Sequence, residues 1–200
     1  MRARRAAIMA GGRSSRMGRS KAGVELSGLP LIAYPLGAAR AAELEPFVVA
    51  KADSELPPLD CEVLVEPALP VHPLTGIVAA LEHAGEPLVV IACDVPLVPP
   101  ALLADLADRE APLVVPADPR PQPLIARYDP VLLPGLRAAL TMGEPLSRLA
   151  VELEAEAIAG AELSRYGDPA TMLANVNDPR GLARAEALLG GQPGTGASPA

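Results

Sequence analysis

The chain of 200 residues fits one ordinary α/β domain and is too short for two independent cores. Half of it is hydrophobic, but three Tyr, one Phe and no Trp make up the aromatics, so the core must be built from Ala, Val, Leu and Ile; that suits buried parallel strands flanked by helices. The formal charge of -7 has the wrong sign for gripping a polynucleotide through its phosphates, and no apolar run approaches the ~20 residues of a membrane span.

Short apolar runs alternate with helical stretches, the pattern of βαβ units. Residues 6–10 are the first predicted strand, a helical pattern covers 31–43, and strands follow at 46–50 and 62–65. A short helix is expected at 76–84. Residues 88–93, LVVIAC, are the most apolar strand candidate and belong at the centre of the sheet, ended by Asp94. A helix follows at 100–108, where a first-turn proline is tolerated, then strands at 113–115 and 123–128. Helices are expected at 130–140, 146–153 and 178–189, the last opened by Asp178-Pro179. The tail GGQPGTGASPA has no apolar face to bury, so a single domain is expected over 1–189 and disorder over 190–200. The 24 prolines are scattered between these runs without forming a Pro-rich tract, and read as loop punctuation.

MRARR followed by AAIMA imitates a secretory signal, but the apolar stretch is below the ~7-residue minimum and runs into Gly11-Gly12 and further charges. Cys61 and Cys93 form no CxxC pair, so neither a disulfide scaffold nor a zinc site is indicated. A reducing cytoplasm is the expected setting.

Arg2, Arg4, Arg5, Arg13, Arg16, Arg19 and Lys21 all precede the first acid, Glu25. In an acidic protein such a pole invites a small anionic ligand, although Arg2, Arg4 and Arg5 read as solvated. The strongest signal lies here: AGGRSSRMGRSK, residues 10–21, directly after the first strand. Gly11 and Gly12 lack a Cβ, so the backbone can turn sharply and bring successive N–H groups to a phosphate, while Arg13, Arg16 and Lys21 can neutralise further charge. The spacing matches neither GxxxxGK[ST] nor GxGxxG. On these residues alone, a tight structural turn with Arg13 and Arg16 on a solvated face is the favoured reading of the loop.

Asp94 should stand at the carboxyl end of a central strand, on the rim where open α/β sheets bind ligands. There it could hold Mg²⁺, which takes oxygen ligands and shares its coordination with phosphates and water; use as a cap or turn residue before Pro96 fits the spacing equally. Asn175 and Asn177 flank one valine, so in an extended segment both amides face one side. Asn177, just before Asp178-Pro179, equally suits a turn.

The string IMAGGRSSRMGRSK, residues 8–21, resembles the LAGGxSxRMGxxK signature of Rossmann-like nucleotidyltransferases, especially the molybdenum cofactor guanylyltransferase family, or molybdopterin-guanine dinucleotide biosynthesis protein A. Four later segments resemble that family in the same order: HPLTGI at 72–77, ACDVPLVPP at 92–100, PQPLIARY at 121–128 and NVNDPRGL at 175–182. The resemblance implies a three-layer Rossmann-like nucleotidyltransferase fold with a mostly parallel, mixed central sheet. It implies transfer of GMP from GTP to the terminal phosphate of molybdopterin with Mg²⁺ as cofactor, and passing contact with proteins that supply or receive the cofactor. Lys21, Arg16 and Asp94 would be catalytic. Met9, Ala10, Gly11, Gly12, Arg13, Lys21, Pro73, Leu74, Gly76 and Asp94 would bind the nucleotide, and Arg148, Asn175 and Asn177 the acceptor. Metal would fall to Asp94, with Asn177 as a second candidate. Rival readings are a cytidylyltransferase for the same pterin, a nucleotidyltransferase for another small phosphorylated acceptor, and a catalytically silent nucleotide sensor.

The chain departs from the family pattern at Ser20, where many relatives carry Asp; at His72, usually Gly; at Glu66-Pro67, where some place an Asp; and at Lys51, often Asn. These positions put the donor base in doubt before the reaction type. His72 and His83 lack metal-ligand spacing and Cys93 reads as a small core residue, so none of the three is assigned to catalysis.

Overall fold

The computed structural model describes residues 1–11 and 21–190. Seven strands form the central sheet: β1 (Arg5–Met9), β4 (Glu45–Ala50), β5 (Val63–Val65), β6 (Leu88–Ala92), β7 (Leu113–Ala117), β8 (Ile125–Tyr128) and β9 (Glu156–Ala159). Their order is β5-β4-β1-β6-β8-β7-β9. β1 pairs in parallel with β4 and β6, β4 with β5 and β7 with β9, whereas β8 runs antiparallel to both neighbours, so the sheet is mixed with one reversed strand.

Alternation along the central strands explains why they read as unbroken apolar runs. Ala6, Ile8, Val48, Val89 and Ile91 face one layer, built on Ile32 just before α1 (Ala33–Ala41), Leu36 and Ala39 of α1, and Leu102, Leu103 and Leu106 of α3 (Pro100–Asp108). Ala7, Phe47, Val49, Leu88 and Val90 face the other, against Leu74, Ile77 and Leu81 of α2 (Pro73–Ala84), Leu136 and Ala139 of α4 (Leu133–Met142) and Leu149 of α5 (Leu146–Glu152). With both faces covered, period-two polarity has no reason to appear. Four-residue helices α6 (Gly160–Leu163) and α7 (Pro169–Met172) follow β9. α8 (Pro179–Gly190) closes the described chain and packs Leu182, Ala185 and Leu189 against Leu26 and Leu31.

Several boundaries differ from the sequence reading. The helix expected from residue 76 begins at Pro73, because His72 Nδ1 accepts a hydrogen bond from the Leu74 N–H at 3.1 Å and caps it. The stretch at 130–140 splits into a 3₁₀ turn at Pro130–Leu132, capped by Asp129, and α4. A hairpin of β2 (Glu25–Leu26) and β3 (Leu29–Pro30) was not anticipated; its turn holds Ser27 and Gly28 at φ 49° and 85°, the left-handed pair that suits a tight hairpin. β9 was missed because an Ala/Glu-rich segment carries no strand signal; it pairs with β7 and buries Ile158. Gly190 ends α8 rather than opening a tail, and 191–200 lie outside the described residues.

Arg127 is fully buried on β8, donating to the carbonyls of Ala111 and Met1 and pairing with Asp129 at 3.4 Å. None of the described helices is long and apolar enough to cross a membrane.

The β6 ladder is the support for the rim. Ile91→Ala, at a fully buried position, is expected to cost about 2–5 kcal/mol in equilibrium urea unfolding, the usual range for emptying a core site that large.

Candidate active site

Met9 is in register with Ala92 across the β1–β6 ladder, and the Cys93 N–H donates to the Met9 carbonyl at 3.1 Å. The two chains therefore leave the sheet side by side: Ala10 and Gly11 after β1, Asp94 after β6. The chain order turns outward in opposite directions from these strands, the crevice where open α/β sheets bind ligands. A cleft of about 980 Å³ opens there, and its lining includes Gly11, Lys21, Asp94, Lys51, Glu66 and His72. Small-molecule sites run to roughly 300–1,000 Å³, so the cleft has room for a nucleotide and part of an acceptor.

Lys21 stands at the start of a 3₁₀ turn, Lys21–Gly23, whose Ala22 is buried in the core. Its ammonium donates to Asp94 Oδ2 at 2.7 Å and also to Asn177 Oδ1. The side chains of Lys21 and Asp94 are only 18% and 12% exposed, so water screens the pair poorly. Asn177 arrives because the Val176 N–H donates to the Asp94 carbonyl at 2.8 Å, tying the late segment to the end of β6. Val176 is buried between exposed Asn175 and Asn177, the arrangement expected of an extended stretch. The Lys21–Asn177 contact joins the beginning and the end of the domain.

Glu66, 8% exposed, is a further charged group of the cleft. Its carboxylate lies between two glycines. A Cβ on Gly11 would stand 2.5 Å from Oε1, and one on Gly76 would stand 2.4 Å from Oε2 and 2.4 Å from the Met9 methyl. Gly11 and Gly76 thus leave room for the Glu66 side chain, which comes from the segment after β5. Burial raises the Glu66 pKa above the usual glutamate range, partly opposed by the charge of Lys51. Sequence reading flagged Glu66 only as a family departure; its proximity to both glycines had no local signal.

Of the other sequence candidates, Pro73 lines the cleft, while Ala10 and Leu74 turn buried side chains into the core and could meet a ligand only through backbone. Gly12, Arg13 and Arg16 lie outside the described residues. Arg148 is not brought to the cleft: it is exposed on α5 between Glu144 and Glu152, each at 3.4 Å, as i,i+4 spacing dictates. His83 pairs with Glu62 at 2.9 Å and packs on Phe47. The Cys93 thiol is pushed up to about 12 by burial, with the Asp94 charge adding to the effect, so it stays protonated and is no nucleophile at neutral pH.

A glycine just past the first strand, a lysine, a strand-end aspartate and an asparagine on one rim are the parts of a nucleotide-handling α/β transferase. A family model described as the MobA-like NTP transferase domain matches residues 6–157, and the chain belongs to that family. It is a nucleotidyltransferase. It is 33% identical to a probable molybdenum cofactor guanylyltransferase of Chloroflexus aggregans, covering 92% of this chain and 93% of the relative. It is 34% identical to the molybdenum cofactor guanylyltransferase of Rhodobacter capsulatus, with 91% and 94% covered. Among solved structures, molybdopterin-guanine dinucleotide biosynthesis protein A from Archaeoglobus fulgidus superposes with a TM-score of 0.78 at 24% identity, over 94% of this chain and 100% of that one. 2-C-methyl-D-erythritol 4-phosphate cytidylyltransferase from Thermus thermophilus gives 0.68 at 22%, over 93% and 98%. These two likenesses establish the Rossmann-like nucleotidyltransferase fold.

Two outcomes are expected. Because the Glu66 pKa is raised in the folded state, the stability linked to its protonation is present at low pH and lost as pH rises through the folded pKa. Glu66→Gln should therefore raise the melting temperature of the ligand-free protein near neutral pH, by about 2 °C, and the gain should vanish below the ordinary glutamate range; scanning calorimetry across pH measures both. Cys93→Ala should keep nucleotidyl transfer within about three-fold of wild type in a pyrophosphate-release assay, since a protonated thiol contributes no attack.

Proposed function

We propose that the protein transfers GMP from GTP to the terminal phosphate of molybdopterin, with Mg²⁺ as cofactor and pyrophosphate as the leaving group. The observation that carries the donor assignment is the Glu66 carboxylate held against Gly11 and Gly76 in the cleft. An ionised carboxylate presents two adjacent acceptors and no donor. The guanine edge presents two adjacent donors, N1–H and the 2-amino group, and satisfies both oxygens. Cytosine and adenine place an acceptor beside their amino group and would leave one oxygen facing a lone pair, a mismatch that costs discrimination in a buried site. The acceptor assignment is supported by the names of the two relatives that match over most of their length.

The residues present fit a magnesium ion. Asp94 and Asn177 offer hard oxygens at one point, the point now taken by the Lys21 ammonium. Two protein oxygens suit an ion that takes one or two protein ligands and fills the rest from phosphates and water. When bound there, Mg²⁺ would polarise the triphosphate and neutralise charge on its oxygens.

The chain's own part is positioning and charge. The Gly11 backbone lets the triphosphate approach the end of β1, Lys21 stabilises the negative charge that grows on phosphate oxygens, and Glu66 fixes the base so that the α-phosphorus is held in line with the acceptor phosphate. No protein nucleophile is needed: the acceptor oxygen attacks and pyrophosphate departs. Gly76 serves indirectly by leaving room for the Glu66 carboxylate.

Pyrophosphate release with molybdopterin and each of GTP, CTP, ATP and UTP tests the reading. GTP should be preferred by at least about 100-fold in kcat/KM, as unpaired buried acceptors discriminate; equal use of CTP would overturn the donor assignment. Asp94→Asn, which keeps size but removes charge, should lower kcat by about 10³-fold or more, and wild-type turnover in that variant would remove Asp94 from the metal site. Gly76→Ala should fold, since the atoms its Cβ meets are the mobile ends of Glu66 and Met9, yet bind GTP about ten-fold more weakly by calorimetry because the carboxylate is displaced.

A further inference from the structure

The two oxygens offered to the metal are already engaged. Lys21 Nζ donates to Asp94 Oδ2 and Asn177 Oδ1 together, so an ammonium is seated on the same donors that the ion would use. The pair is mostly shielded from solvent, and two cations on one carboxylate repel strongly where water screens poorly. Asp94 carries one negative charge, and the described residues bring no cluster of acids around it that could hold both cations. A triphosphate alters that balance. It brings several negative charges and many oxygens to the same rim, so the ammonium can transfer its hydrogen bonds to phosphate while Asp94 turns to the ion. Lysine suits this exchange because its charge is compact and rides on a flexible four-carbon stem, here rooted by buried Ala22.

We propose that Lys21 is a built-in counter-ion that competes with the divalent cation for Asp94 and Asn177, so that cation and triphosphate load together rather than the cation first. The inference rests on Asp94 being the metal's anchor and adds the order of loading. It also assigns Lys21 two successive partners, a carboxylate before the substrate arrives and phosphate afterwards. The cation site is thereby kept closed to free divalent ions.

The test uses Mn²⁺ as the probe, counting free ion by its electron paramagnetic resonance signal during titration of the full chain. Wild type is compared with Lys21→Met and Lys21→Gln, which keep much of the stem and remove the charge, each checked for fold by circular dichroism. Without nucleotide, the two variants should take up one equivalent of Mn²⁺ at least ten-fold more tightly than wild type, and adding Asp94→Asn to either should abolish that uptake. With the α,β-methylene analogue of GTP, wild type should take up one equivalent. Equal Mn²⁺ affinity of wild type and both lysine variants without nucleotide overturns the competition and leaves Asp94 as anchor standing, provided Asp94→Asn still removes uptake. No uptake by any of the proteins, with or without the analogue, overturns the competition and the anchor together.

Discussion

The parallel pairing of β1 with β6 is the constraint on which the site depends. It sets Met9 beside Ala92 and joins the Cys93 N–H to the Met9 carbonyl, so Gly11 and Asp94 must emerge as neighbours although they lie far apart in sequence. Two short reaches complete the rim. Lys21 spans from the turn to Asp94, and Val176 anchors the Asn177 segment to the Asp94 carbonyl. A site of this kind needs no active-site loop to be rigid, because the backbone ladder fixes the separation of its main parts.

The rim is also where the molecule departs from good local stability. Below it β1 and β6 are packed on both faces by apolar side chains, with Ala7, Ile8, Val90 and Ile91 all at 0% exposure. At the rim, Glu66 is buried with its pKa raised, and Gly11 and Gly76 forgo side chains to make room for it. Asp94 and Lys21 give up hydration for each other. Such arrangements lower the stability of the free protein and become favourable when a ligand of matching charge and hydrogen-bonding pattern arrives, the usual exchange between stability and binding function. On the function proposed above, guanine for Glu66 and a triphosphate for Lys21 would be those partners.

Much of this was legible in the sequence because it was local. The apolar run 88–93 stopped by an aspartate marked both the central strand and its rim residue, and Gly11, singled out after the first strand, lines the cleft. Asn175 and Asn177 showed their shared side through the single buried residue between them. What was illegible depended on tertiary contact. Glu66 sits in a Pro-rich stretch of ordinary appearance, and its meaning comes from two glycines on other elements. The composition of β9 is helical, and pairing with β7 overrides it. Arg148 looked available for a phosphate because sequence shows charge but not the two glutamates one turn away on either side.

A crystal structure with the α,β-methylene analogue of GTP and Mn²⁺, read through the anomalous signal of the metal, examines the convergence of the rim most directly. The account requires one manganese bonded to Asp94 and to phosphate oxygens, with the triphosphate against Gly11 and Lys21 and the guanine edge on Glu66. A triphosphate bound away from Gly11, or a manganese peak with no contact to Asp94, would contradict it.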